Sequence, residues 1–183
     1  SYAIPLLGEH QLHNAATVLE AISVLRKQGW DIDDEAVESG LYSVAWPARF
    51  EVLHTDDPWF VLDGGHNPQC AAALRECLEH YFPDSKRVAL VGVLKDKDYK
   101  SIAAMLAPLF DACVCVTPPS ERALPAEELA ELFKDSCREV CVAGTVEDGV
   151  DLARDIAQEQ DAMVCAFGSL YICGQIRSCF GLR

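Results

Sequence analysis

The chain has 183 residues, half of them hydrophobic and 24% charged, which is typical of a globular protein. Its formal net charge is −14, with 15 Lys and Arg against 29 Asp and Glu. That balance argues against a nucleic-acid partner, because phosphate binding needs clustered basic residues. No apolar stretch reaches the roughly 18 to 20 residues of a membrane helix, and residues 1–30 lack an export signal. We therefore expect a cytoplasmic protein without a membrane partner.

Nine cysteines are present, and several lie inside apolar, strand-like runs, namely Cys113, Cys115, Cys141 and Cys165. A disulfide framework would place cysteines in the loops of a short secreted chain. We predict reduced cysteines that pack in the core. No Cys-x-x-Cys pair occurs, so no metal site is expected.

The first segment has the spacing of an amphipathic helix, with apolar residues at Leu12, Ala15, Leu19 and Ile22. This predicts a helix over 11–27, ended by Gly29. A second short helix is predicted after Asp33, closing at Gly40. Residues 43–47 contain a proline and no clear period, so we predict a domain boundary there, with domains at 1–45 and 46–183.

Apolar runs then alternate with helical segments. The predicted strands are 49–54, 59–62, 88–93, 113–116, 140–142 and 163–167. The predicted helices are 68–81, 99–109, 126–134, 146–160 and 170–180. Apolar strands separated by helices indicate a parallel sheet covered on both faces. We predict a doubly wound α/β domain with a mostly parallel sheet flanked by helices, preceded by the short helical segment.

Ligands of such a sheet bind beyond the carboxyl ends of its strands. The strongest candidate there is LDGGHNP, residues 62–68, in which two glycines precede a helix capped by Asn67 with Pro68 at its first position. Asp63 and His66 could bind a ribose or orient a nucleophile. Their positions are equally consistent with a structural role, in which Asp63 caps the turn and His66 is a surface residue.

Other strand ends offer further candidates. Lys97 could reach a phosphate or carboxylate, whereas Asp98 is better explained as a helix cap. Ser169 follows the last strand and could help bind a carboxylate, although a simple serine cap would have the same pattern. In the first segment, His10 and His13 lack a third metal ligand. Asn14 lies on an apolar helix face and needs a hydrogen-bond partner.

Five short motifs together resemble the folylpolyglutamate and dihydrofolate synthases of the Mur ligase superfamily. They are GEHQLHNAA (8–16), WPARFE (46–51), LDGGHNP (62–68), GVLKDKD (92–98) and GSLY (168–171) with Gly174 and Arg177. Each is weak alone, but their order and separations are specific. The chain departs from the family at Ala48, where glycine is usual, and at Gly65, where alanine is usual.

The resemblance implies that Asn14, Arg49 and Asp63 contact ATP, with Asn14 near the adenine and Asp63 near the ribose. His66 and Ser169 would lie near the incoming glutamate or the acyl phosphate. The implied reaction activates a folate carboxylate with ATP to an acyl phosphate, which the amine of L-glutamate attacks. Dihydropteroate is an alternative substrate, and a monomer is expected.

The chain contains no Gly-x-x-x-x-Gly-Lys-Ser/Thr phosphate loop, and the Mg²⁺ ligands of the family have no matching positions. We therefore expect the carboxyl-terminal domain of the ligase with the tail of its ATPase domain, inactive without the rest of that domain. Two alternatives stay open, namely a peptidoglycan Mur ligase and a non-catalytic nucleotide-binding module. A dinucleotide oxidoreductase is disfavoured, because no Gly-x-Gly-x-x-Gly follows any strand.

Overall fold

A computed structural model describes residues 2–54, 56 and 58–182. Within them the chain forms seven α-helices and six β-strands and divides into two compact units, Ser1–Pro47 and Ala48–Arg183. The helices are α1 (Glu9–Lys27), α2 (Asp34–Tyr42), α3 (Pro68–Tyr81), α4 (Tyr99–Leu106), α5 (Ala126–Glu131), α6 (Val146–Gln160) and α7 (Leu170–Cys179). The strands are β1 (Glu51–His54), β2 (Phe60–Asp63), β3 (Lys86–Val91), β4 (Ala112–Cys115), β5 (Glu139–Val142) and β6 (Ala162–Phe167).

The first unit contains α1 and α2. Helix α1 ends just before Gly29, as predicted, and Gly29 takes a φ of 94° that favours glycine. The Asp33 carboxylate caps α2 by accepting the N–H of Ala36 at 2.6 Å. Helix α2 continues to Tyr42, past the predicted end at Gly40, because Gly40 keeps a helical conformation.

The second unit is built on a six-stranded sheet with the order β1-β2-β6-β3-β4-β5. Strand β1 is antiparallel to β2, whereas the other neighbouring strands are parallel. The predicted mostly parallel α/β fold is therefore confirmed. Strand β6, the last in sequence, pairs with both β2 and β3, so Asp63 and Val91 each lie opposite Phe167.

Both faces of the central strands are buried, which explains why those strands are apolar without alternation. One face, including Phe60, Leu62, Leu90 and Val164, joins residues of α6 and α7 in a hydrophobic cluster. Edge strand β5 is only partly covered, and Cys141 on it is half-buried, whereas Cys113, Cys115 and Cys165 are fully buried as predicted. All nine cysteines are free thiols.

Several predicted elements have other bounds in the structure. The helix predicted over 126–134 ends at Glu131, and the strand predicted over 88–93 spans Lys86–Val91. The helix predicted over 99–109 is α-helical only to Leu106 and then tightens to a 3₁₀ turn, because Pro108 has no N–H to continue the ladder. The strand predicted over 49–54 begins at Glu51, since Arg49 and Phe50 form a turn. No helix in the described part of the chain combines the length and apolar character needed to cross a membrane.

Candidate functional site

Asp63 ends β2 and organises the loop that follows it. Its Oδ1 accepts the N–H of Gly65 at 2.7 Å, and its Oδ2 accepts the N–H of Phe50 at 2.9 Å. Asp63 is 8% exposed, so these backbone groups replace the water that would otherwise solvate the carboxylate. Asp63 therefore does stabilise the turn, one of the two roles its position allows. Each oxygen keeps a lone pair for a further donor.

Arg49 lies in a turn between two residues of left-handed conformation. The φ angles are 56° at Ala48 and 45° at Phe50, and both residues are buried. This conformation costs an L-residue about 1–2 kcal/mol, and it persists only where its surroundings impose it. The usual glycine of the family at position 48 has a physical reason here, because glycine takes positive φ without that cost.

Backbone hydrogen bonds attach the Arg49 turn to the Asp63 loop. The Gly64 N–H donates to the Ala48 carbonyl at 2.8 Å, next to the Phe50 N–H that donates to Asp63. Arg49 itself is half-buried. The geometry thus brings the turn that carries Arg49 against the loop that carries Asp63 and His66, at the carboxyl end of β2.

His66 is half-buried and its ring is oriented by the loop itself. Nδ1 lies 3.1 Å from the Gly64 carbonyl oxygen. A carbonyl can only accept, so Nδ1 carries the proton and the lone pair of the neutral ring is on Nε2. Asn67 caps α3 by accepting the N–H of Cys70 at 2.8 Å, with Pro68 at the first helical position, as predicted.

Ser169 begins α7 and is 2% exposed. Its hydroxyl oxygen accepts the N–H of Tyr171 at 3.2 Å, so it does cap the helix. Gly168 before it has a φ of 109°, and a Cβ there would stand 2.7 Å from the Gly92 carbonyl oxygen. The ends of β6 and β3 therefore meet in a contact that only glycine allows.

Lys97 lies in the loop after β3, two strands away from Asp63 in the sheet. It is half-buried, and its N–H donates to the Leu94 carbonyl at 3.2 Å. Asp98 caps α4 through the N–H of Ser101 at 3.2 Å, as predicted. The hydrogen bond from Arg122 lowers the pKa of Asp96, and this exposed ion pair joins the loops after β3 and β4.

Asn14 is exposed on α1, in the first unit, and finds its predicted hydrogen-bond partner within the same helix. Its Nδ2 donates to Oε1 of Gln11 at 2.9 Å, and Nε2 of Gln11 lies 3.0 Å from Nε2 of His10. Gln11 is buried. Among the described residues, no three His, Cys, Asp or Glu side chains gather in a group that could hold a metal ion.

Two thiols lie beneath the site and are kept protonated. Burial, with the charge of Asp63 as a second cause, raises the pKa of Cys77 to about 11 and that of Cys173 to about 12. Thiolate is the reactive form of cysteine, so neither residue is suited to act as a nucleophile at neutral pH.

Sequence reasoning gave no role to Glu51 or Arg177, although both belong to the motifs quoted above. The structure joins them in an ion pair beside the Arg49 turn. They are 126 positions apart, and no local pattern predicts such a pairing. Their presence in separate motifs was the one available signal.

Comparison with known protein families gives the class of this protein. The family described as Mur ligase, glutamate ligase domain, matches residues 48–170, and the chain belongs to this family. The match covers the Arg49 turn, the Asp63 loop, Lys97 and Ser169.

Individual relatives are folate enzymes by name. The Mycobacterium tuberculosis dihydrofolate synthase/folylpolyglutamate synthase is 35% identical over 97% of this chain and 40% of its own length. The probable bifunctional folylpolyglutamate synthase/dihydropteroate synthase of Halobacterium salinarum is 37% identical over 96% of this chain and 21% of its own length. The crystal structure of M. tuberculosis folylpolyglutamate synthase complexed with ADP and AMPPCP is 34% identical with a TM-score of 0.87, covering 100% of this chain and 43% of that one. The chain thus spans less than half the length of these relatives.

Proposed function

We propose that this chain supplies part of the active site of an ATP-dependent ligase that adds L-glutamate to folate. The observation that carries the proposal is the strained Arg49 turn, hydrogen-bonded to the Asp63–His66 loop at the carboxyl edge of the sheet. Strained backbone clusters at functional sites. A guanidinium is always charged and can pair with two phosphate oxygens, so Arg49 gives an acidic chain a local anion site.

The nucleotide contacts are proposed from the family resemblance, and the arrangement of the Arg49 turn and the Asp63 loop supports those of Arg49 and Asp63. Arg49 would bind phosphate oxygens of ATP. Asp63, whose oxygens already accept two backbone N–H groups, would use a remaining lone pair for a ribose hydroxyl. Asn14, in the first unit, would contact the adenine. Arg49 and Asn14 would bind and orient the nucleotide, and Asp63, with His66, is also a proposed catalytic residue.

We assign the binding and deprotonation of glutamate to His66, Ser169 and Lys97. The amine of glutamate attacks the acyl carbon of the activated carboxylate and phosphate leaves, so the amine must lose a proton. Nε2 of His66 carries a lone pair that can accept that proton or a hydrogen bond from the amine. The N-terminus of α7 at Ser169 and the ammonium of Lys97 would hold carboxylates by hydrogen bonds and charge.

The remaining machinery is proposed to lie in the rest of the ligase. Mg²⁺, when bound, neutralises phosphate charge, and the resemblance assigns its ligands and the phosphate loop to an N-terminal ATPase domain. Residues 1–45 would be the tail of that domain. Without that domain we expect no ligation.

The folate substrate is favoured over peptidoglycan by the names of the relatives and by the LDGGHNP motif. Dihydropteroate is a second proposed substrate, because the M. tuberculosis relative is also named a dihydrofolate synthase. We also propose that the enzyme is a cytoplasmic monomer. Nine free thiols suit a reducing compartment.

The test uses the full-length ligase that contains these residues. Radiolabelled L-glutamate is incubated with ATP and tetrahydrofolate, and labelled folate is measured. Arg49→Ala should raise the KM for ATP about tenfold or more, as expected for losing a charged hydrogen bond, with a small change in the KM for folate. Arg75→Ala is the matched control, because Arg75 forms an exposed ion pair with Glu79 within α3. An unchanged KM and turnover in Arg49→Ala would refute the assignment. Absence of labelled folate from the unmodified enzyme would refute the proposed reaction.

A further inference from the structure

Glu51 holds the Arg49 turn through the residue that precedes Arg49. Its Oε2 accepts the N–H of Ala48 at 2.8 Å, and its Oε1 forms an ion pair with Arg177. The side chains of Arg177 and Glu51 are 13% and 23% exposed, so water and salt screen this pair far less than a surface pair. The carboxylate of Glu51 thus has two partners, one on the turn and one on α7.

Arg177 provides a rigid anchor for this carboxylate. It stands on α7, whose Ile172 and Ile176 are completely buried in the hydrophobic cluster below the sheet. The position of Glu51, and through it the backbone of Ala48, is therefore coupled to the packed core. A loop side chain without such an anchor would move with the loop.

Two carboxylates hold the backbone on either side of Arg49. Glu51 accepts from Ala48 and Asp63 accepts from Phe50, and these are the two residues in left-handed conformation. Left-handed backbone relaxes unless its surroundings hold it. The two hydrogen bonds hold the turn on both sides and so determine where the Arg49 side chain leaves the backbone.

We propose that Glu51 is a positioning residue for Arg49, and that Arg177 neutralises Glu51. An unneutralised carboxylate two residues from Arg49 would compete with a nucleotide phosphate for the guanidinium. Paired with Arg177, Glu51 keeps its hydrogen bond to Ala48 without that competition. The inference rests on the proposed function, in which Arg49 binds ATP.

The experiment separates charge from hydrogen bonding in the full-length ligase. Arg177→Met keeps an unbranched apolar stem but leaves Glu51 unneutralised, and it should raise the KM for ATP about tenfold while the KM for folate changes less than about twofold. The double variant Glu51→Gln/Arg177→Met removes both charges and keeps an amide oxygen for Ala48. Its KM for ATP should return to within about threefold of the unmodified enzyme.

Controls distinguish this inference from the proposed function and from simple unfolding. Glu79→Ala, in the exposed pair with Arg75, should leave all constants unchanged, and melting temperatures are measured for every variant. If Arg49→Ala raises the KM for ATP but Arg177→Met does not, the positioning inference is wrong and the proposed function stands. If the double variant is as impaired as Arg177→Met, the neutralising role is wrong. Should Arg177→Met not fold, Glu51→Asp replaces it as the test variant. Glu51→Asp is too short to reach both partners and should raise the same KM, so an unchanged value would overturn the inference.

Discussion

Replacing Asp63 by alanine should be among the most destabilising single changes at the site. The substitution removes the acceptor of two buried N–H groups, at 2.7 Å from Gly65 and 2.9 Å from Phe50. A hydrogen bond to a charged group contributes about 1.5–3 kcal/mol, so losing both lowers the free energy of unfolding by about 3–6 kcal/mol. That is a large part of the roughly 5–15 kcal/mol that stabilises a typical domain.

Asp63→Asn should cause only part of this loss of stability. Its amide oxygen can still accept one N–H, whereas its NH₂ group faces the other donor, so about half of the loss is expected. Asp98→Ala is the matched control, because Asp98 is an exposed cap that accepts a single N–H at 3.2 Å. A lost cap of this kind costs about 1 kcal/mol.

The measurement is urea unfolding followed by circular dichroism, with the free energy extrapolated to water. The expected order of destabilisation is Asp63→Ala, then Asp63→Asn, then Asp98→Ala. If Asp63→Ala costs no more than Asp98→Ala, the Asp63 carboxylate does not hold the two loops together and the structural reasoning is refuted.

Three further predictions concern stability and are measured by the same unfolding assay. Gly174→Ala should stabilise α7 by about 0.5–1 kcal/mol, since nothing lies within 4 Å of the new Cβ. Gly168→Ala should destabilise the protein, because its Cβ would stand 2.7 Å from a backbone oxygen. Equal effects of the two substitutions would contradict this reasoning. Arg87→Leu should cost about 2 kcal/mol or more, because its buried guanidinium donates to carbonyls near the end of α3, and a neutral result would show that these carbonyls find other donors. The free energy of unfolding should fall as pH rises above about 9, by about 1.4 kcal/mol per pH unit for each buried thiol. The reason is that thiols of the unfolded chain ionise above about pH 9. In the folded protein the pKa of Cys77 is about 11 and that of Cys173 is about 12, so these thiols stay protonated. Cys77→Ala should flatten this slope, and a slope equal to that of the unmodified chain would contradict the assignment.

Local sequence patterns predicted the secondary structure well. The order of helices and strands follows from apolar spacing and from caps such as Asn67 and Asp98, because these signals act within a few residues. Helix ends were less predictable, as at Pro108, where a 3₁₀ turn continues beyond the α-helix. The antiparallel edge strand β1 had no distinguishing signal in its four residues.

The sequence predicted which strand ends carry the site residues, but not how those residues contact one another. The rule for parallel sheets placed Asp63, His66, Lys97 and Ser169 at one edge, and the confirmed fold agrees. The sequence left two roles open for Asp63 and Ser169, and the structure shows that both stabilise local backbone. Their contacts with nucleotide and glutamate remain predictions.

The sequence by itself determined the α/β class, the core and the loops in which polar residues gather, because periodicity and capping are properties of neighbouring residues. Only the tertiary structure decided that β6 lies between β2 and β3, that the Arg49 turn is left-handed on both sides, and that Glu51 pairs with Arg177. These features depend on groups up to 126 positions apart. Their free energy comes from burial and hydrogen bonds that exist only after the sheet has assembled.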